Sequence, residues 1–420
     1  MNNPLGLVAG YSKSKISLDE ITVETYVTTD NLLQNKQGKV SAEKMPKQSS
    51  KTVTRYDEGD ILIANIRPYL KKIWLAKYTG GSSADVLTLK VKESNNSSFL
   101  YYALLRDEFF EHMMNGSKGT KMPRGDKNQI LHFPIPDYEP QTQKQIAIVL
   151  TDLDAKIEVN NKINQELEQM AKTIYDYWFV QFDFPDANGK PYKSSGGKMV
   201  YDEGLKREIP EGWEVDELGD ILETELGGTP STKVSEFWDG NISWLNSGEI
   251  ANFPIIDSEE HITEDAISNS ATSLMSKGTC VLSITRHLRP SILGIDACAN
   301  QSVVGILESD KLKASFIYPY LKNEIPRLMS LRTGAQQPHI NKKTVDTSLI
   351  VHPPIEILEA YYETVNSIYS QIINSSFQNQ KLAELRDWLL PMLMNGQVTV
   401  GEAEEKLDMV AEESAKYGEV

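Results

Sequence analysis

The longest pattern in this chain is a seam of apolar and small residues in alternating three-four spacing. It runs through Leu150, Leu153, Ile157, Asn160, Asn164, Leu167, Ala171, Ile174 and Trp178. That spacing over four heptads predicts a helix packed along a coiled-coil seam. A second run repeats it 215 residues later, through Val365, Ile368, Ile372, Ser375, Asn379, Leu382, Arg386, Leu389 and Leu393. Both seams turn polar in the middle. If the two helices pair antiparallel, Asn160 and Asn164 meet Ser375 and Asn379, and such polar layers fix register. Roughly 35 helical residues at about 1.5 Å each make a rod near 50 Å. That is more than one small domain covers, so a helix packed only on its own domain is the weaker reading.

The same shift of 215 places Gly119 on Gly334 and Pro123 on Pro338, so "GTKMP" overlies "GAQQP". With a four-residue indel, "GDILIANIR" (59–67) matches "GTCVLSITR" (278–286). Each reads as an alternating apolar strand that ends in an arginine. Each half is therefore a β-containing region, a Gly-x-x-x-Pro loop, a proline-rich exit ("FPIPDYEP" or "HPP") and a long helix. The chain is an internal duplication of α+β character. The expected divisions are 1–140 and 213–354 for the two globular regions, and 141–181 and 355–396 for the helices. Residues 182–212, "FDFPDANGKPYKSSGGKM…", form a linker with "SSGG" as a flexible joint. Residues 397–420 form an acidic tail.

Composition narrows the class. With 420 residues, two or three domains are expected. Apolar content of 40% and charged content of 24% suit a soluble globular protein. No run approaches the roughly 18 apolar residues of a membrane helix, and the N-terminus lacks the basic region of a signal peptide. Two cysteines, Cys280 and Cys298, make neither a disulfide framework nor a zinc cluster and suit a cytoplasmic protein. A net charge of −16 argues against a nucleic-acid partner at face value. Its distribution tempers that, because residues 1–140 carry 19 basic against 16 acidic side chains. Residues 205–354 carry 13 against 21, so DNA binding there needs a local patch. The last twenty residues hold seven acids and two lysines, read as a solvated tail.

Catalytic motifs are missing from the sequence. It contains no Gly-x-x-x-x-Gly-Lys-Ser/Thr phosphate loop, no Gly-x-Ser-x-Gly elbow and no His-x-x-x-His or Cys-x-x-Cys metal spacing. The nearest strings to an amino-methyltransferase loop, "NIRPY" (65–69) and "HPPIE" (352–356), fail its Asn/Asp-Pro-Pro-aromatic form. "PD" at 136–137 with "DAK" at 154–156 resembles a metal-nuclease string, but Asp154 and Lys156 fall on the long helix and read as outer-face charges.

What remains is a paired set of polar loops and strand-end arginines. The first half offers Arg67, Lys71, Lys72, Lys118, Lys121 and Arg124. The second offers Thr229, Ser231 and Lys233 of "GGTPSTK", Arg286, Arg289, and Gln336, Gln337, His339, Asn341 and Lys342 of "RTGAQQPHINK". Arginine and lysine suit phosphates and guanine edges, and Gln and Asn pair bidentately with adenine. The competing reading is ordinary turns with solvated charges.

Several strings together carry a resemblance: "LTDLDAKIEVNNKINQELEQMAKTIYDYWFVQFDFP" (150–185), "GKPYKSSGGKM" (189–199), "EIPEGWEV" (208–215), "GGTPSTKVSEFWDGNISWLNSGEI" (227–250), "GAQQPHIN" (334–341) and "LRDWLLPMLMNG" (385–396). In this order they resemble the specificity subunit of Type I restriction–modification systems across nearly the whole chain. Residues 1–140 match least in their letters, as a domain that varies with the DNA target would. The resemblance implies two α/β target recognition domains joined by two helices in an antiparallel coiled coil, with pseudo-twofold symmetry. Its seam would comprise Leu153, Ile157, Asn160, Asn164, Leu167 and Ile174 with Ile368, Ile372, Ser375, Asn379, Leu382 and Leu389. Each domain would read half of a bipartite site through the major groove, and the helices would span the spacer, about one to one and a half DNA turns. The resemblance further implies a subunit without catalysis or cofactor of its own. Two modification subunits would bind S-adenosylmethionine and methylate adenine N6, and two motor-nuclease subunits using ATP and Mg would complete a restricting assembly. The alternatives are a coiled-coil scaffold with two ligand-binding domains, and a stand-alone DNA-modifying enzyme.

Overall fold

The computed structural model describes residues 2–46, 51–119, 121–334 and 336–407. Two compact units emerge, Met1–Glu158 with Gln380–Val420, and Val159–Asn379. The division falls inside both long helices, so each unit owns a stretch of each.

In the first unit the central sheet has four antiparallel strands in the order Ala9–Tyr11, Val86–Val91, Ile61–Ala64 and Ile73–Leu75. The strand Ile61–Ala64 is buried at every position rather than alternating with polar residues as the sequence suggested. Its two faces meet two different cores: Ile61 and Ile63 pack with Phe99, Leu104 and Phe109, while Leu62 and Ala64 pack with Tyr56, Trp74 and Val86. A strand covered on both faces reads as a continuous apolar run. A second sheet, Lys15–Ser17, Thr52–Tyr56, Gly80–Ser82 and Tyr26–Val27, lies within the same unit.

The second unit repeats this plan. Its central sheet runs Thr224–Leu226, Val303–Ile306, Cys280–Ser283 and Arg289–Ile292. Counted along the chain, both central sheets have the spatial order first, fourth, second, third. The strand Cys280–Ser283 is again fully buried, with Cys280 and Leu282 in one core and Val281 in another. The duplication read from sequence is thus a duplication of topology.

The first long helix spans Pro140–Tyr175 and continues as a π-helical turn, Asp176–Val180; the second spans Ile355–Asn395. Within the first unit Leu150, Leu153 and Ile157 share a core with Leu382, Leu389 and Leu393. Within the second, Leu167, Ile174 and Trp178 pack with Val365, Ile368 and Ile372. The pairing is antiparallel and polar at its middle. The Asn160 amide donates to Gln378 Oε1 and Asn379 Oδ1, both at 2.8 Å, and Asn379 donates back to Asn161. Asn164 reaches Ser376 at 3.2 Å instead of the expected Ser375, which is only half-buried. Asp154 is no outer-face charge. It accepts from Tyr102 at 2.7 Å and pairs with Arg386 at 2.8 Å, which explains an arginine at a seam position.

Two expectations about connecting segments fail. The linker is no flexible joint, because its Phe182, Phe184 and Ile209 are buried with Trp213 in the second unit's main core. Its polar residues serve the folded segment too. Asp183 accepts from the backbone and hydroxyl of Ser194, and Met199–Asp202 pairs with Arg207–Pro210 as a hairpin. Aromatic burial outweighed the loop-like composition. In the acidic segment residues 400–407 are helical, with Ala403 fully buried and Val398, Val400 and Leu407 packed on the first unit's core. Residues 408–420 lie outside the described residues.

Candidate nucleic-acid interface

In the first unit the strand Ile61–Ala64 leaves the sheet through Asn65 and Ile66 into Arg67, which adopts the left-handed conformation with φ of 53°. Its backbone N–H donates to Pro123 O at 2.8 Å. The loop around Pro123 is a miniature hairpin. Lys118 and Arg124 pair across it, and Arg124 also bridges to Ile66. Gly119, at φ of +94°, makes its turn, a conformation glycine adopts without a Cβ penalty. Asp126 then caps the following turn by accepting from the N–H groups of Asn128 and Gln129, and these bonds hold its carboxyl below the usual range.

The second unit builds the same device. Arg286, at φ of 61°, donates its N–H to Pro338 O at 2.8 Å. Thr333 pairs with His339 across the loop, and His339 bridges to Thr285. Gly334 sits at φ of +96°, where an added Cβ would come within 3.1 Å of Gln337 O. Asn341 caps Lys342–Asp346 by accepting from the Thr344 N–H.

Within each unit the structure sorts the candidates. Arg67, Lys121 and Arg124 are exposed on the first unit's edge. Lys71 is tied to Asp107 at 2.9 Å beside Lys36 at 2.6 Å. Burial would raise the Asp107 carboxyl, but these two lysines outweigh it and hold the group below its ordinary range. Lys72 turns inward to Thr29 O, and burial lowers its pKa. Lys118 lies 3.6 Å from Asp126.

In the second unit one end of the central sheet gathers the other candidates. Leu226 stands opposite Val304, Ser283 opposite Val303 and Arg289, so Thr229, Gln301, Arg286 and Arg289 all follow or precede strand ends on the same side. Thr229 donates to Gln301, and Ile284 links backbone to backbone with both Ser302 and Ile340. Ser231, Lys233, Gln336, Gln337 and His339 are exposed, while Lys342 is paired with Asp346 at 2.9 Å.

Sequence reasoning passed over three partners. Asp85 holds Arg124 at 2.8 Å, Arg332 donates to Arg286 O at 2.8 Å, and Gln301 accepts from Thr229. Only Arg332 belongs to the Gly-x-x-x-Pro loop segment, 332–341; nothing in the letters around Asp85 or Gln301 ties them to residues so distant in the chain. Exposed Tyr69 and Met122 also flank the Arg67–Pro123 bond.

Among the described residues one group has the composition of a metal site: Glu214, Asp216 and His352. Lys311 Nζ lies 2.9 Å from His352 Nδ1, and His352 Nε2 lies 2.8 Å from Asp216. An ammonium has only donors, so Nδ1 accepts and Nε2–H donates. Both ring nitrogens are engaged, and the group is a hydrogen-bonded ion network.

The family described as "Type I restriction modification DNA specificity domain" matches this chain twice, at residues 11–169 and 210–385. The chain belongs to that family. Each match takes in one Arg–Pro loop device and much of a long helix, so the family unit and the repeat coincide. Among curated relatives, the MjaIX specificity subunit of Methanocaldococcus jannaschii is 26% identical over 83% of this chain and 79% of its own length. The HindI specificity subunit of Haemophilus influenzae is 27% identical over 89% and 94%. A solved Type I restriction–modification S subunit from M. genitalium aligns over 94% of this chain and 96% of its own, with 14% identity and a TM-score of 0.55. That likeness supports the fold. As a specificity subunit of this family, the chain works with DNA and with other restriction–modification subunits. No helix among the described residues is long and apolar enough to cross a membrane.

Proposed function

We propose that this chain is the sequence-reading subunit of a cytoplasmic Type I restriction–modification complex, each recognition domain reading one half of a bipartite DNA site. The paired helices set the unread spacer and receive two modification subunits. Those subunits bind S-adenosylmethionine and methylate adenine N6; two motor-nuclease subunits, with ATP and Mg, complete a restricting assembly. The chain itself supplies recognition, not catalysis, and holds no cofactor.

One observation carries this reading. The same backbone device occurs in both units, an arginine in the left-handed region clipped to a proline carbonyl, yet the side chains it displays differ. Lys118, Lys121 and Arg124 stand in one loop and Gln336, Gln337 and His339 in the other. Constant geometry with different hydrogen-bonding letters is what two readers of unlike half-sites require, because base edges are told apart by donor and acceptor pattern.

The test is methylome sequencing of a host expressing the chain with its modification subunit, before and after residues 1–140 are exchanged for another family member's. A bipartite motif that changes in one half only is expected. A continuous motif, no motif, or a change in both halves together overturns the proposal and favours a scaffold.

A further inference from the structure

Residues 124 and 339 occupy one place in the two repeats. Each pairs across its loop, with residue 118 or 333, and bridges to the strand end, at residue 66 or 285. Each follows the proline whose carbonyl accepts from the left-handed arginine. The chemistry displayed there is opposite in sign.

Arg124 offers only donors. Asp85 engages Nη2 at 2.8 Å, which restrains the guanidinium from one end and leaves most of its five N–H groups free. The Asp85 backbone is held beside the same strand end, its carbonyl accepting from the Asn65 N–H at 2.9 Å. His339 has Nδ1 3.0 Å from Gln337 O. A carbonyl only accepts, so this bond requires the proton on Nδ1. The neutral ring then carries its lone pair on Nε2, and the exposed nitrogen is an acceptor. In the major groove guanine presents two acceptors, whereas cytosine N4 and adenine N6 present donors.

The geometry points to residues 124 and 339 as equivalent base-reading positions of opposite hydrogen-bond polarity: Arg124, positioned by Asp85, takes a guanine, and His339, its tautomer set by Gln337, takes the amino group of cytosine or adenine. This rests on the recognition function proposed above and names which residue reads what. It also gives a reason for two copies of one scaffold to select different half-sites.

The test reads the methylated motif of the assembled complex for His339→Arg, His339→Ala, Arg124→Ala, Asp85→Asn, and an exchange of residues 332–341. His339→Arg is expected to replace cytosine or adenine by guanine at one position of one half-site. His339→Ala should make that position degenerate, and Arg124→Ala should do the same to a guanine in the other half. Asp85→Asn should raise methylation of non-guanine sites at that guanine several-fold while leaving every other position unchanged, which a general loss of structure would not do. If both His339 variants keep the wild-type motif, or His339→Arg is inactive while His339→Ala reads as wild type, the polarity assignment is wrong. If, in addition, the loop exchange rewrites the half-site, recognition by this loop stands without it. If the loop exchange leaves the motif intact too, the recognition reading of this edge fails with it.

Discussion

Arg67 and Arg286 show how a single residue is held against its own preference. Both adopt positive φ, a region that costs a non-glycine residue roughly 1 kcal/mol. Each is held there by a bond from its N–H to a proline carbonyl. Arg286→Gly should therefore leave stability unchanged or raise it by up to about 1 kcal/mol in urea unfolding. The same variant should weaken DNA binding by the assembled complex; a variant that unfolds early would show the side chain to be structural. Asp107 gives a pH dependence of known sign. Its folded pKa is depressed, so its contribution is fully present above the unfolded value near about 3.9 and is lost as pH falls through the folded value. The stability difference between wild type and Asp107→Asn should be flat above roughly pH 5 and shrink below roughly pH 4. A difference that grows in acid would reverse the assignment.

At the scale of elements, polar residues at the middle of the helix pair replace apolar packing with a specific set of amides. Asn160 is nearly buried and serves two acceptors, Gln378 and Asn379. Asn160→Ala should cost about 1 kcal/mol, since it removes a buried donor that serves two half-buried acceptors. In a double-mutant cycle with Asn379→Ala the two losses should fall short of additive; strict additivity would mean the bond carries no coupling. The segment between the halves makes the opposite point about legibility. "SSGG" and its glycines read as a joint, yet Phe184 stacks on Tyr192 and both Phe182 and Phe184 pack against Trp213. Trp213→Ala should cost about 3–5 kcal/mol, whereas no loss would restore the joint.

For the whole molecule, charge is the property to test. The candidate cations Lys71, Lys118, Arg124 and Lys342 each face a carboxylate of their own unit. Among the described residues Arg67, Lys121, Lys233, Arg286 and Arg289 carry no such pair, and the chain's net charge is −16. Few phosphates can then be neutralised by this chain alone. Its DNA affinity should fall with salt no more steeply than a log–log slope of about −5. A slope near −10 would mean that this chain, and not its partner subunits, supplies the backbone contacts.

The sequence by itself determined the duplication, the helix seams with their polar centres, and the Gly-x-x-x-Pro loops, because each rests on spacing along one segment. Helical period and a glycine's positive φ are local properties that the order of residues encodes directly, whereas the burial of both faces of the central strands was decided by the cores packed on them. Only the tertiary structure decided that Asp154 serves Arg386 and Tyr102, that the aromatic linker packs into a core, and that Lys72 faces inward. It also chose the partners of Arg124 and Arg286, Asp85 and Arg332. Those pairings join residues tens to hundreds of positions apart. Side-chain identity at either end is compatible with solvent, and the fold alone brings the two ends within hydrogen-bond distance.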